Sequence, residues 1–161
     1  MSDALLGTRL EAGDLGLLFD TVTEPATLDG DPLLIERLVA NLVDNAVRHN
    51  VPGGRVEVTT GTSHGRAVLS VTNTGEVIPP AEVGRLFLPF QRLSGRRAHY
   101  RTGHGLGLSI VRAIATAHGA TVAAHAAPGG GLAIDVTFPP SPQSWRHAGT
   151  AAERRMAAAG R

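Results

Sequence analysis

Twice in this chain one alternating apolar segment follows another, with only a polar or glycine-rich link between them. Residues 55–60 place Val56 and Val58 on one face, and residues 66–72 do the same with Ala67, Leu69 and Val71. The polar link 61–65 between them predicts an antiparallel hairpin. Residues 121–126 and 132–138 flank Pro128-Gly129-Gly130-Gly131 and predict a second hairpin. Strands that adjoin strands favour an α+β sandwich over a doubly wound parallel sheet, in which each strand is followed by a crossover helix.

Helices fall between and around these hairpins. Asp31 stands as an N-cap before Pro32 at the first helical position, and Leu34, Ile35, Leu38, Leu42, Val43 and Ala46 then recur at helical spacing to about His49. Val51-Pro52-Gly53-Gly54 stops this helix. Pro79-Pro80 opens a short helix to Phe87, and another runs from about Leu106 to His118. The class expected is α+β: a two-layer α/β sandwich in which a mixed sheet packs against helices.

A length of 161 residues and 42% hydrophobic content are enough for one domain with a real core. Residues 28–140 are assigned to that domain. Residues 1–27 read as an N-terminal segment, a remnant of or linker to a missing upstream region, in which Leu15, Leu17, Leu18 and Phe19 can form a short packed stretch. Residues 141–161 carry four arginines against one glutamate and read as a basic, disordered tail. Residues 91–104 show no apolar periodicity and hold Arg96, Arg97 and Arg101, the pattern of a mobile loop.

The absence of cysteine excludes disulfides and thiolate metal sites. No apolar run is long enough to span a bilayer and the start resembles no signal peptide, so a soluble, cytoplasmic chain is expected. All 15 basic residues are arginine, but they are scattered and aromatics make up 4%, which argues against a nucleic-acid surface.

Four features carry chemistry. The run Gly103-His104-Gly105-Leu106-Gly107 leads into a helix, where bare backbone amides and a positive helix end can cradle phosphates, although such spacing also serves plain steric turns. Asn41, Asn45 and Arg48 form one polar stripe on the long helix: either a solvent-facing edge, or amide oxygens for Mg²⁺ beside a guanidinium for phosphate. Asn73 ends a strand just before a turn at Gly75, where a side chain can read a base edge or cap the turn. Phe87 and Phe90 then read as anchors that pack a lid on the core, with Arg92 placed to approach a terminal phosphate.

In this order, residues 41–50, 73–75, 87–92 and 103–107 resemble the asparagine, first glycine, phenylalanine and second glycine boxes of the sensor histidine kinase ATP-binding domain. Gly129-Gly130-Gly131 resembles that family's additional glycine turn, and the resemblance spans about residues 28–139. It implies the Bergerat sandwich shared with gyrase, mismatch-repair ATPases and anti-sigma kinases, with a mobile ATP lid.

It further implies ATP and Mg²⁺ as ligands. Asn45 looks like the metal-binding asparagine, Asn41 lies near the phosphates, and Arg48 takes the place of the basic phosphate contact. His49 occupies the position whose ring lies against adenine, and Asn73 that of an adenine-reading aspartate, followed by Gly75. Arg92 corresponds to the arginine at the lid's edge. Gly103, Gly105 and Gly107, with Leu106 among them, match the phosphate loop.

Two positions depart from the family. Where it has Asp-x-Gly-x-Gly, this chain has Asn73-Thr74-Gly75-Glu76-Val77. Valine stiffens the turn, and an amide bond to adenine lacks charge assistance, at a cost of about 1 kcal/mol. An amide can also turn and donate to the O6 of guanine, which predicts weaker base discrimination than in the aspartate-containing relatives.

Hydrolytic members of the superfamily carry a glutamate where this chain has Asn41, which cannot act as a base. The expected reaction is therefore phosphoryl transfer, with Arg92, Arg48 and Asn41 as the catalytic set. The family's acceptor motif, His-Glu/Asp-x-x-x-x-Pro, is absent, since none of the seven histidines precedes an acidic residue. The resemblance thus implies a histidine on a separate helical hairpin and, indirectly, a response regulator, within a parent kinase that can be membrane-anchored. The alternatives on the same fold are an anti-sigma-type serine kinase, which Asn41 disfavours, and a non-enzymatic nucleotide-gated interaction module.

Overall fold

The computed structural model describes residues 13, 16–90 and 105–141. Five strands form one mixed sheet in the order β1-β2-β3-β5-β4: β1 (Leu18–Thr23), β2 (Arg55–Ser63), β3 (Arg66–Asn73), β4 (Thr121–Ala126) and β5 (Leu132–Thr137). The helices are α1 (Pro32–Arg48), α2 (Pro80–Val83), a 3₁₀ turn at Gly84–Phe87, and α3 (Gly107–Ala117). The α+β sandwich expected from the sequence is the fold observed.

Both hairpins are antiparallel and pair as anticipated, β2 with β3 and β4 with β5. β2 runs further than residue 60, however, because His64 and Gly65 both take positive φ and close the hairpin in two residues. β1 was hidden in the N-terminal segment 1–27. It pairs parallel to β2, with Leu18 opposite Arg55, so α1 is the crossover of a βαβ unit and the sheet begins before residue 28. At the other end Ser141, counted with the tail, is 2% exposed and packs with the domain. The remainder of the tail lies outside the described residues.

One face of the sheet is apolar, since β3 and β5 bury alternate residues: Ala67, Leu69, Val71, Asn73 and Leu132, Ile134, Val136. Against it lie Leu38, Leu42, Val43 and Val47 of α1 and Leu108, Val111 and Ile114 of α3. Full burial of one such side chain contributes about 1.5–3 kcal/mol, so this layer supplies the main driving force for folding. The opposite face carries Glu57, Thr59, Ser70, Thr72 and Asp135, and Asp20 there meets Arg55 at 2.7 Å.

The start of α1 is fixed twice. Asp31 accepts from the backbone N–H of Leu33 at 2.8 Å and of Leu34 at 3.2 Å, the capping predicted from the sequence. Its own N–H donates to Nε2 of His118 at 3.1 Å, while His118 Nδ1 lies 2.8 Å from the Ile114 carbonyl. A donor facing Nε2 requires the tautomer with hydrogen on Nδ1, so the neutral ring bridges the C-terminus of α3 to the N-terminus of α1. His118→Ala removes both bonds and is expected to cost about 1–2 kcal/mol in urea unfolding. A variant as stable as the wild type would contradict that bridge.

Candidate nucleotide site

α1 connects the two ends of the candidate site. Asn41 and His49 are eight residues apart, about 12 Å of helix rise. At the Asn41 end the amide Nδ2 donates to the Arg37 carbonyl at 2.7 Å, which fixes the side chain and turns Oδ1 toward the start of α3. A Cβ built on Gly107 would lie 3.5 Å from that oxygen, an ordinary contact. Protein packing therefore leaves room for a methyl group at 107. Gly105, by contrast, is held at φ +65°, a conformation that favours glycine.

The N-terminus of α3 has no side-chain cap at Leu106 and no acidic residue in its first turn. Its first amides have no capping partner among the described residues and carry the positive end of the helix. One turn along α1, the half-buried amide of Asn45 has no hydrogen bond among the described residues. Asn41 and Asn45 thus present hard oxygen donors beside an anion-attracting helix end. Among the described residues no three His, Asp or Glu cluster, so a cation here would complete its shell from phosphate and water, as Mg²⁺ commonly does.

Arg48 is less available than the stripe implied. Its Nε meets both carboxylate oxygens of Asp44, at 2.8 and 2.9 Å, an exposed i,i+4 pair of small energetic weight. His49 caps α1 through its N–H to the Asn45 carbonyl at 3.1 Å, and its side chain is exposed. The His49 carbonyl lies where a Cβ on Gly75 would come within 2.7 Å, so backbone approach alone requires glycine at 75.

The other end is built around Asn73, which is 5% exposed at the end of β3, between Val56 and Leu132. Its Nδ2 donates to the Thr74 carbonyl at 2.7 Å. Its Oδ1 has no hydrogen bond among the described residues. Gly130 (φ +94°) and Gly131 (φ +106°) press against this turn, and Gly131 N–H donates to the Glu76 carbonyl at 2.9 Å. Val77, the second departure in the motif, is 73% exposed and meets no steric objection.

Asn41 meets the segment Gly105, Leu106 and Gly107 at one end, His49, Asn73 and Gly75 meet at the other, and Asn45 lies on α1 midway between Asn41 and His49. Arg92 and Gly103, and the loop at 91–104, lie outside the described residues. Phe87 is buried as an anchor, but Phe90 is 75% exposed. Its φ of +61° turns the chain back after Pro89, and its N–H donates to the Gly105 carbonyl at 3.1 Å. Backbone, not the aromatic ring, holds this point. The sequence reading missed Asn50 and Thr74, whose mutual contact pins the Asn73–Gly75 turn; two polar residues beside two glycine-rich breaks were the available signal.

The chain belongs to the family of histidine kinase-, DNA gyrase B- and HSP90-like ATPases, whose model matches residues 30–142. It is 49% identical over 130 residues to the sensor protein CutS of Streptomyces coelicolor, covering 80% of this chain and 31% of CutS. It therefore spans about a third of the length of those curated relatives. The mycobacterial sensor histidine kinase MprB superposes with a TM-score of 0.75 at 32% identity, covering 86% of this chain and 92% of that one. Full-length ShkA in complex with AMPPNP superposes at 0.71 with 26% identity, over 84% of this chain and 28% of that one. The resemblance read from the four motif boxes is thereby borne out.

Proposed function

We propose that this chain is the catalytic unit of a bacterial two-component sensor histidine kinase, binding Mg·ATP and passing the γ-phosphoryl group to a histidine supplied by another domain. The observation that carries the proposal is the uncapped start of α3 facing Asn41, with Asn45 one turn along α1, and the Asn73 oxygen, without a partner among the described residues, beyond the other end of α1. Phosphates and a 6-aminopurine match the charge and hydrogen-bonding needs of these two ends.

In this assignment Asn73 accepts from the adenine amino group, and Gly75 lets the turn lie close to the base. His49 flanks the base at the end of α1. The amides of Gly105, Leu106 and Gly107 receive phosphate oxygens, as does Gly103. Asn45, with Asn41 beside it, would hold Mg²⁺, which when bound neutralises phosphate charge. Arg48 adds positive charge near the phosphates, and Arg92 is assigned to the transferring group.

Nothing at position 41 can deprotonate water, so the site favours transfer to an incoming nucleophile over hydrolysis. The unit comprises residues 28–140 together with β1. Its partners are a phosphoacceptor helical hairpin, upstream in the parent kinase or in trans, and indirectly a response regulator. No described helix is long and apolar enough to cross a membrane, and a cytoplasmic position is part of the proposal.

Mixing the chain with Mg·[γ-labelled]ATP and a cognate histidine hairpin is expected to give acid-labile, base-stable phosphohistidine on the hairpin and none on the chain itself. Phosphoserine on a partner would instead support an anti-sigma type of kinase. Binding without transfer to any acceptor would leave a nucleotide-gated module. Stoichiometric self-labelling would overturn the reading.

A further inference from the structure

We infer that Thr74 and Asn50 act as positioning residues that lock the Asn73 amide in one orientation, making it an acceptor-only reader that selects 6-amino over 6-oxo purines. The inference rests on the proposed placement of the base at Asn73. It reverses the weak discrimination that the sequence predicts for an amide free to turn.

The lock is a chain of hydrogen bonds. The Thr74 hydroxyl donates to Asn50 Oδ1 at 2.7 Å and accepts from the Arg55 N–H at 2.7 Å. The Thr74 N–H donates to the Arg55 carbonyl at 3.0 Å, so both the backbone and the side chain of Thr74 are held. Asn50 is itself saturated. Its Nδ2 donates to the carbonyls of Ala46 (3.2 Å) and Arg55 (3.0 Å), and its Oδ1 also accepts from the Val51 N–H at 2.9 Å. Gly54 has no room for a side chain because Asn50 Oδ1 and Thr74 Oγ1 lie where its Cβ would be.

This node joins the end of α1, the start of β2 and the end of β3. From it the Thr74 carbonyl reaches back to Asn73 Nδ2 at 2.7 Å. Turning the Asn73 amide over would set Oδ1 against that carbonyl, two acceptors facing each other with little solvent to separate them. Leaving the amide in place would set Oδ1 against the 6-oxo group of the wrong base, again acceptor on acceptor. A 6-oxo purine is penalised either way, whereas the adenine amino group satisfies the free oxygen.

The test compares Mg·ATP with Mg·ITP, which differ at the purine 6-position, by calorimetric titration of the whole chain. Wild type is expected to bind ATP about tenfold or more tightly than ITP, the ratio for one unsatisfied buried acceptor. Thr74→Val keeps the branched shape but loses the hydroxyl, and should bring the ratio to within about threefold. Thr74→Ser restores the hydroxyl and should restore the ratio. A merely structural loss at Thr74 weakens both nucleotides alike and leaves their ratio unchanged, which would overturn the inference.

Equal binding of ATP and ITP by wild type would overturn it alone, while binding of neither would defeat the ATP reading and the inference with it. If Thr74→Val does not fold, wild type still decides through the Asn73 side-chain amide protons in an ¹⁵N-labelled sample. Slow exchange with solvent of the proton held by Thr74 is expected, and exchange of both protons at the rate of a free amide would overturn the lock.

Discussion

Asn45→Leu should abolish the Mg²⁺ dependence of ATP binding and lower phosphoryl transfer by about a hundredfold or more, with the fold intact. A metal at a transferring phosphoryl group supplies several kcal/mol of charge stabilisation, and each 1.36 kcal/mol is a factor of ten in rate. Stability should not change in step. The Asn45 amide makes no hydrogen bond among the described residues, so its removal breaks none of the fold's bonds there. Leucine is also the better helix former at a half-buried position of α1.

Two measurements separate metal from fold. Urea unfolding of Asn45→Leu should match wild type to within about 0.5 kcal/mol, a size usual for substitutions away from special features. ATP titrated in EDTA should bind both proteins equally, because the base end of the site is untouched. Transfer to a histidine hairpin within about threefold of wild type would remove Asn45 from the metal site.

The elements legible in the sequence are those whose burial has a period. β2, β3 and β5 each put one face against α1 and α3, and the alternation of Val56, Val58 or Leu132, Ile134, Val136 records it. β1 lies at the sheet edge with Leu18 and Val22 exposed, so no alternation marks it, and its parallel pairing to β2 comes from the crossover through α1. The glycine run and the asparagine stripe were legible because each is contiguous or helically spaced. The Asn50–Thr74 contact joins residues 24 positions apart and leaves no local pattern. The Asp44–Arg48 pair does have i,i+4 spacing, yet the polar stripe drew Arg48 toward phosphate while its Nε is held by Asp44.

Glycines divide in the same way. At 107 a methyl group would meet only an ordinary contact among the described residues, and ligand approach is the reason for glycine there that the proposed function supplies. At 131 the reason lies within the protein, and Gly131→Ala is accordingly expected to be the most destabilising single-methyl change in the domain. Its Cβ would fall on the carbonyl oxygen of Asn73, a backbone atom that β3 cannot readily yield, since Asn73 is paired with both Val56 and Leu132. The φ of +106° lies outside the ordinary regions for an L side chain and adds about 1–3 kcal/mol on its own.

Together these give a loss of about 3 kcal/mol or more in urea unfolding, a large fraction of the stability of a domain this size. Gly129→Ala is the matched control, because nothing lies within 4 Å of a Cβ there, and its cost should stay under about 1 kcal/mol. The same displacement at Asn73 should weaken ATP binding by the Gly131→Ala protein that remains folded, whereas Gly129→Ala should bind as wild type. Equal stability of the two alanine variants would mean that the 130–131 turn does not brace the base end of the site.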